Sequence, residues 1–315
     1  MDALAVVLQQ PETLTVSRLP LTPPTDTDIV VDMEWSGIST GTERLLWSGT
    51  MPMFPGMGYP LVPGYESVGR VSQLGANAPE SLSLGDRVFV PGARCYGDVR
   101  GLFGGSASRV VVAGDRVAKI GDGLDEDAVL LALAATAYHV TGGDPNTQPD
   151  LIIGHGVLGR LLARVAVAVG ANPPTVWEVN PDRRAGAIGY TVVDPDADDR
   201  RDYQRICDVS GAKDLLDTLI GRLAFGGEVI LAGFYSEQLS FTFPPAFMRE
   251  ARLRIAAEWK QPDLAGVMRL IAQGRLTLGG LITHTSQASD APDAYRTAFT
   301  DPACLKMIID WRTSS

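Results

Sequence analysis

Gly154-His155-Gly156-Val157-Leu158-Gly159 carries the sharpest chemical signal in the sequence. Three glycines at this spacing let a chain turn tightly out of a strand, bring its backbone against a pyrophosphate and pack the next helix closely on the sheet. The flanks suit that geometry, with an apolar strand at 150–153 and an apolar helix at 160–170. The helix N-terminus would then offer N–H groups and a positive partial charge to phosphate oxygens. Glu178 ends the next strand, 175–179, at the distance from the glycines where a carboxylate accepts from the adenosine ribose hydroxyls. Such a carboxylate repels a 2′-phosphate and predicts NAD as cofactor. Arg183 and Arg184 follow, and either offers a guanidinium to a 2′-phosphate, the feature that would favour NADP. His155 has two readings, a phosphate contact or a spacer whose ring faces solvent.

A turn of this kind needs a parallel α/β sheet behind it. From residue 125 onward the chain supplies one: a helical stretch over 125–140, then strands at 150–153, 175–179, 191–193, 206–209, 228–232 and 253–256 separated by helices. Strands alternating with helices imply a doubly wound sheet. The charged crossover 194–205 reads as a solvated helix or loop without function. Before residue 125, short strand-like runs at 3–9, 13–18, 28–35, 67–74, 86–90, 108–112 and 117–120 recur between Gly- and Pro-rich turns, the pattern of a barrel or folded sheet. After about residue 259 come one helix, 263–273, and short pieces ending in a strand at 306–310.

The 315 residues are enough for two domains, and 45% hydrophobic content excludes disorder as the main state. With 37 acidic against 27 basic side chains and a net charge of −10, nucleic acid is an unsuitable partner. Cys95, Cys207 and Cys304 are odd in number and far apart, which matches neither a disulfide framework nor a closed metal site and predicts a reducing cytoplasm. The longest apolar stretch, 128–138, is far short of the ~20 residues of a transmembrane helix, and no signal peptide is expected at the N-terminus.

The sequence resembles the medium-chain dehydrogenase/reductase family along its whole length. The resemblance rests on Pro63-Gly64-Tyr65-Glu66-Ser67-Val68-Gly69, Leu84-Gly85-Asp86-Arg87-Val88, Ala135-Thr136-Ala137-Tyr138-His139, the glycine turn, Asp208-Val209-Ser210-Gly211, the run Gly226 to Gly233, and Leu281-Ile282-Thr283-His284. It implies a GroES-like β-rich catalytic domain at 1–124, a Rossmann domain at 125–258 and a return to the catalytic domain over 259–315. It also implies dinucleotide contacts from Thr136, Val157, Leu158, Asn180, Arg183, Gly233 and Phe234, and homodimers through the Rossmann sheet edge. In zinc members the first ligand is a Cys where this chain has Ser39, the second a His where it has Tyr65, and the third falls near Ala132. Only Cys95 remains where the structural zinc lobe needs four cysteines. A catalytic zinc takes three ligands from Cys, His, Asp and Glu, so the resemblance and its departures imply a metal-free enzyme.

Loss of the ion leaves Tyr65, Ser39, Glu66 and Thr40 as candidates to handle the alcohol proton, with Thr42 and Glu43 nearby. Tyr65 is the preferred base or relay, against the reading that its phenol only fills the vacated cavity; a phenol acting near neutrality needs a cationic or hydrogen-bonding neighbour. Longer stretches, Ser36 to Glu43, Trp47-Ser48-Gly49, Phe54 to Glu66, Arg100 to Gly105 and Phe243 to Glu250, look like the branch of the family serving bacteriochlorophyll synthesis. That branch implies a hydrophobic tetrapyrrole partner, a hydroxyethyl bacteriochlorophyllide whose 3-(1-hydroxyethyl) group becomes 3-acetyl. Met51, Met53, Phe54, Met57 and Tyr59 are candidates to cover the macrocycle, as are Phe103, Phe247 and Met248, while Arg44 or Arg94 would meet its propionate. Two other readings are an enoyl or quinone reductase without zinc and a non-catalytic dinucleotide-binding scaffold.

Overall fold

A computed structural model describes residues 1–314, and the chain divides into two compact units: Met1–Ala132 with the segment from Gly279 onward, and Leu133–Leu278. In the first unit, Asp2–Gln10, Thr13–Pro20, Leu61–Val62 and Arg100–Gly101 form a four-stranded sheet. A seven-stranded sheet runs in the order His284–Gln287, Met307–Asp310, Asp28–Ile38, Ser67–Leu74, Arg87–Val90, Ala118–Lys119, with Arg109–Ala113 also paired to Asp28–Ile38. Val30, Val31, Val88, Val90, Val110, Val112 and Ile309 are buried in its core. The C-terminal strand Met307–Asp310 lies antiparallel to Asp28–Ile38, pairing Met307 with Ile38 and Ile309 with Ser36.

The second unit is a parallel sheet of six strands in the order Thr191–Val193, Thr175–Trp177, Leu151–Ile153, Tyr203–Asp208, Leu223–Leu231, Arg252–Ile255. The order in which strands are added reverses between Leu151–Ile153 and Tyr203–Asp208, the position where open α/β sheets bind ligands beyond the carboxyl ends of their strands. Leu151, Ile152, Ile206, Cys207, Val229 and Ile230 are wholly buried, as expected of strands covered on both faces.

Three expectations change. The helix expected over 125–140 is a 3-10 segment, Asp122–Leu130, followed by the α-helix Leu131–Thr141, with Asp125 at φ +44°. Arg87 donates to the carbonyls of Asp122 and Asp125, which takes those acceptors out of a helical ladder and ties the segment to the β-rich unit. The helix Gln261–Ala272 belongs to the doubly wound unit, where Asp263 meets His139 at 2.8 Å and Gly266 makes room for the Tyr138 ring. The charged crossover is anchored inward, because the Asp198 carboxylate accepts from Trp177 Nε1 at 2.6 Å and from the Tyr203 hydroxyl at 2.5 Å. No helix among the described residues is long and apolar enough to cross a membrane.

Candidate active site and nucleotide cradle

In the β-rich unit the site follows from strand register. Strand Asp28–Ile38 is central, with Met307–Asp310 on one side and Ser67–Leu74 on the other. Lys306 precedes the residue paired with Ile38, and Glu66 precedes Ser67, the partner of Ser36. The two side chains therefore meet over Gly37. Lys306 Nζ lies 2.6 Å from Glu66 Oε2 and donates to the Ile38 carbonyl at 3.0 Å. Gly37 leaves the space: a Cβ there would stand 2.6 Å from Glu66 Oε2. Both charged side chains are almost wholly buried, and Glu66 Oε1 has no hydrogen-bond partner among the described residues.

Just beyond Ile38 the chain carries Ser39, whose hydroxyl is 2.7 Å from the Tyr65 hydroxyl. Thr42 Oγ1 lies 3.2 Å from Ser39 Oγ and 3.1 Å from the Tyr65 hydroxyl, within reach to donate its one hydrogen to either, so three hydroxyls form a closed cluster. Burial, and then the neighbouring Glu66 charge, push the Tyr65 phenol above its ordinary range, while the two hydroxyl partners act in the opposite direction. A free base at neutral pH is therefore the wrong description of Tyr65. Glu66 also departs from expectation, since its carboxylate is committed to Lys306 and makes no bond to Tyr65. Thr40 is exposed and lies outside the hydroxyl cluster.

Glu43, on the first turn of the helix Thr42–Ser48, is 2% exposed. Its Oε1 accepts from the Ser39 backbone N–H at 3.1 Å and its Oε2 from the Tyr295 hydroxyl at 2.8 Å. Burial pushes its carboxyl up to about 7; the two donated hydrogen bonds and the Lys306 ammonium oppose the rise, and the Glu66 charge adds to it. Tyr295 comes from the helix Ala291–Thr300, and its hydroxyl also reaches Ser106 Oγ at 3.4 Å. Glu43 stood near the candidates in sequence only; Tyr295 and Lys306 were not candidates. Lys306 had one signal, a lone cation opening an apolar strand.

In the doubly wound unit the glycine turn is built as its spacing predicts. Gly154 adopts φ +100°, and a Cβ on Gly159 would collide with the Gly154 carbonyl oxygen, so strand and helix approach as only glycine allows. Gly156 caps the helix Val157–Ala168, and nothing lies within 4 Å of where its Cβ would point. That open face and the N–H groups of Val157, Leu158 and Gly159 suit a pyrophosphate. Glu178 is nearly buried; Oε2 accepts from the His155 N–H at 3.0 Å and Oε1 from the Asn180 N–H at 2.8 Å.

His155 fits neither expected reading. Its ring is fully buried, with Nδ1 2.6 Å from the Arg183 carbonyl and Nε2 2.8 Å from the Tyr190 hydroxyl. A carbonyl only accepts, so Nδ1 carries the hydrogen and Nε2 accepts from Tyr190. Burial holds the ring's pKa below its ordinary value, so it packs as a neutral buttress under the turn. Arg184 is committed to the Asp194 carboxylate and to the carbonyls of Glu178 and Val179. Of the remaining candidates, Thr136 lies on the helix Leu131–Thr141, and Gly233 donates to the Asp208 carbonyl at 3.0 Å beside a half-exposed Phe234.

The aromatic and methionine candidates divide. Met51 is buried, and Phe54, Met57 and Tyr59 pack with it on Leu8, Leu46, Leu61 and Leu102, so they anchor the loop and leave Met53 exposed. Phe103 lies edge-on to Tyr65 with centroids 5.6 Å apart. Phe247 and Met248 are exposed on the second unit, and Arg44 and Arg94 on the first.

Residues 25–122 match the alcohol dehydrogenase GroES-like domain. A 2-desacetyl-2-hydroxyethyl bacteriochlorophyllide A dehydrogenase of Rhodobacter capsulatus is 55% identical over 99% of this chain and 99% of its own length. A protein of the same name from Cereibacter sphaeroides is 53% identical over 100% of both chains. The chain belongs to the medium-chain dehydrogenase/reductase family. An alcohol dehydrogenase of Escherichia coli complexed with NADH shares the fold with a TM-score of 0.83 at 20% identity, covering 98% of this chain and 99% of that one. A dehydrogenase of Sinorhizobium meliloti bound to NADP does so at 0.80, with 20% identity and the same coverage. The medium-chain dehydrogenase framework of a β-rich unit closed by the C-terminal strand and a doubly wound unit is thus present throughout.

The buried Glu43 has a measurable consequence. Its folded-state pKa stands above the ordinary carboxyl value of 4.5, so the native state holds a proton that the unfolded chain has released, and stability falls as pH rises from 4.5 through about 7. Glu43→Gln removes that titration. The stability difference between variant and wild type should move by about 3 kcal/mol in the variant's favour across the window, at ~1.4 kcal/mol per pKa unit. Denaturant melts on either side of the window measure it, and a pH-independent difference would contradict the burial argument.

Proposed function

We propose that this chain oxidises the hydroxyethyl group of a bacteriochlorophyllide to an acetyl group, with NAD as cofactor and without a catalytic zinc. The full-length similarity to two dehydrogenases named for that substrate carries the reading. NAD, when bound, supplies the nicotinamide ring that accepts the carbinol hydride. Gly154, Gly156 and the turn 157–159 would hold its pyrophosphate and Glu178 its ribose. Glu178 and the commitment of Arg184 to Asp194 both oppose a 2′-phosphate, which favours NAD over NADP.

The residues where zinc members place their ligands do not fit the ion. Ser39 and Tyr65 offer hydroxyls, the Glu66 carboxylate is already paired with an ammonium, and no group of three or more His, Cys, Asp or Glu able to hold a metal lies together among the described residues. No step is therefore routed through zinc. The hydroxyls of Ser39, Tyr65 and Thr42 take over the handling of the alcohol proton. Tyr65, kept protonated by burial, accepts the substrate proton while passing its own to Ser39, and Ser39 passes one in turn to Thr42, whose partly exposed hydroxyl releases a proton to water, which makes Tyr65 a relay. Phe103 gives the cluster an apolar border suited to a flat macrocycle.

The strand Arg252–Ile255 has a sheet neighbour on one side, and Leu253, Ile255, Phe243, Phe247 and Met248 are exposed on or near it. An unpaired edge with apolar side chains is a pairing surface, and a second copy of the chain is the partner we assign to it.

Three outcomes are expected. Purified protein with NAD and a hydroxyethyl bacteriochlorophyllide should give the absorption shift of an acetyl-conjugated macrocycle, undiminished by a zinc chelator and slower with NADP; dependence on added zinc would refute the metal-free reading. Tyr65→Phe should lower kcat by about 10²-fold or more; wild-type turnover would remove the relay. Light scattering should report a dimer that Ile255→Lys converts to monomer, and a monomeric wild type would end the edge assignment.

A further inference from the structure

We propose that Glu43 is the residue that positions the Ser39 and Tyr65 hydroxyls, and that its ionised form is the one that supports turnover. This inference rests on the alcohol oxidation proposed above. Ser39 lies on the turn between strand Asp28–Ile38 and helix Thr42–Ser48, and a turn of this kind is held by its backbone hydrogen bonds. The Glu43 carboxylate supplies one of them, accepting the Ser39 N–H, while its second oxygen takes the Tyr295 hydroxyl from helix Ala291–Thr300. One carboxylate thus fixes the backbone that aims Ser39 Oγ at Tyr65 and ties it to the C-terminal segment of the unit.

Both neighbours are donors, so the ionised carboxylate satisfies both. A protonated Glu43 must donate as well. The Ser39 N–H has no lone pair for it, which leaves the oxygen facing Tyr295; Tyr295 must then turn its own hydrogen toward Ser106 Oγ, a longer contact at 3.4 Å. The charge balance works in the same direction. The ionisable groups acting on Glu43 are Tyr295, Glu66 and Lys306, and it acts in turn on the Tyr65 phenol. Glu66 and Lys306 cancel, so ionised Glu43 leaves one net negative charge near the hydroxyl cluster, which favours uptake of a proton from the alcohol. Protonation removes that charge.

The test is the pH profile of kcat with NAD and a hydroxyethyl bacteriochlorophyllide. Wild type should lose turnover on the acid side with a midpoint near the carboxyl's value of about 7. Glu43→Gln, whose amide mimics the protonated acid, should be about ten- to a hundred-fold slower above that midpoint, flat across it, and little changed in KM. Tyr295→Phe should move the midpoint to higher pH, because the anion loses a donor. A Glu43→Gln enzyme with the wild-type profile, or a midpoint unmoved in Tyr295→Phe, overturns the proposal. An infrared titration of the carboxyl band that Glu43→Gln abolishes reads the same ionisation without turnover. If wild type leaves the substrate unchanged, the substrate reading fails, and the infrared midpoint and its shift in Tyr295→Phe still decide the role of Glu43.

Discussion

The ion pair between Lys306 and Glu66, closed over the missing side chain of Gly37, is the contact on which the β-rich unit's functional face depends. Two ions taken out of water are tolerated only when each compensates the other, and removing one partner of such a pair costs several kcal/mol. The pair fixes three strands in register: the C-terminal strand that delivers Lys306, the central strand that ends at Ile38, and the strand that Glu66 precedes. Ser39 and Tyr65 are the residues adjacent to those fixed points. Backbone pairing brings the two residues alongside, and the Glu43 carboxylate on the Ser39 N–H holds the turn in which their 2.7 Å contact forms.

Two buried carboxylates stand near each other in this unit, and their partners differ. Glu66 has a lysine against it. Glu43 has only uncharged donors in direct contact and carries the electrostatic cost of the site, which is why its carboxyl rises to about 7. Where zinc members of the family concentrate positive charge, this chain keeps a compensated pair, a titrating acid and three linked hydroxyls. The chemistry such a set supports is proton movement among hydroxyls, with the hydride left to the dinucleotide.

The doubly wound unit rests on a different constraint, the contact between Gly159 and the Gly154 carbonyl that only a glycine permits. Around it Glu178 accepts from the His155 N–H and Arg160 donates to the His155 carbonyl, while the buried His155 ring is held between the Tyr190 hydroxyl and the Arg183 carbonyl. These polar residues pack beneath the glycines and hold the loop, so that its outer face at Gly156 is left to a ligand.

By itself the sequence determined what depends on local spacing: the parallel sheet from its apolar runs, the tight strand-to-helix turn from three glycines, and the family from motifs spread along the chain. The family resemblance also implied that Ser39 and Tyr65 lie together, because both occupy positions that a metal joins in zinc members. Tertiary structure decided the rest. Lys306 and Tyr295 lie more than two hundred residues beyond Glu66 and Glu43, and no local pattern shows that a C-terminal strand will bring them alongside. His155 reads as exposed in a glycine loop until Tyr190 and the Arg183 carbonyl are folded against its ring. Charge states follow the same division: a side chain's intrinsic acidity is written in its type, whereas its shift depends on burial and on neighbours that only the folded chain assembles.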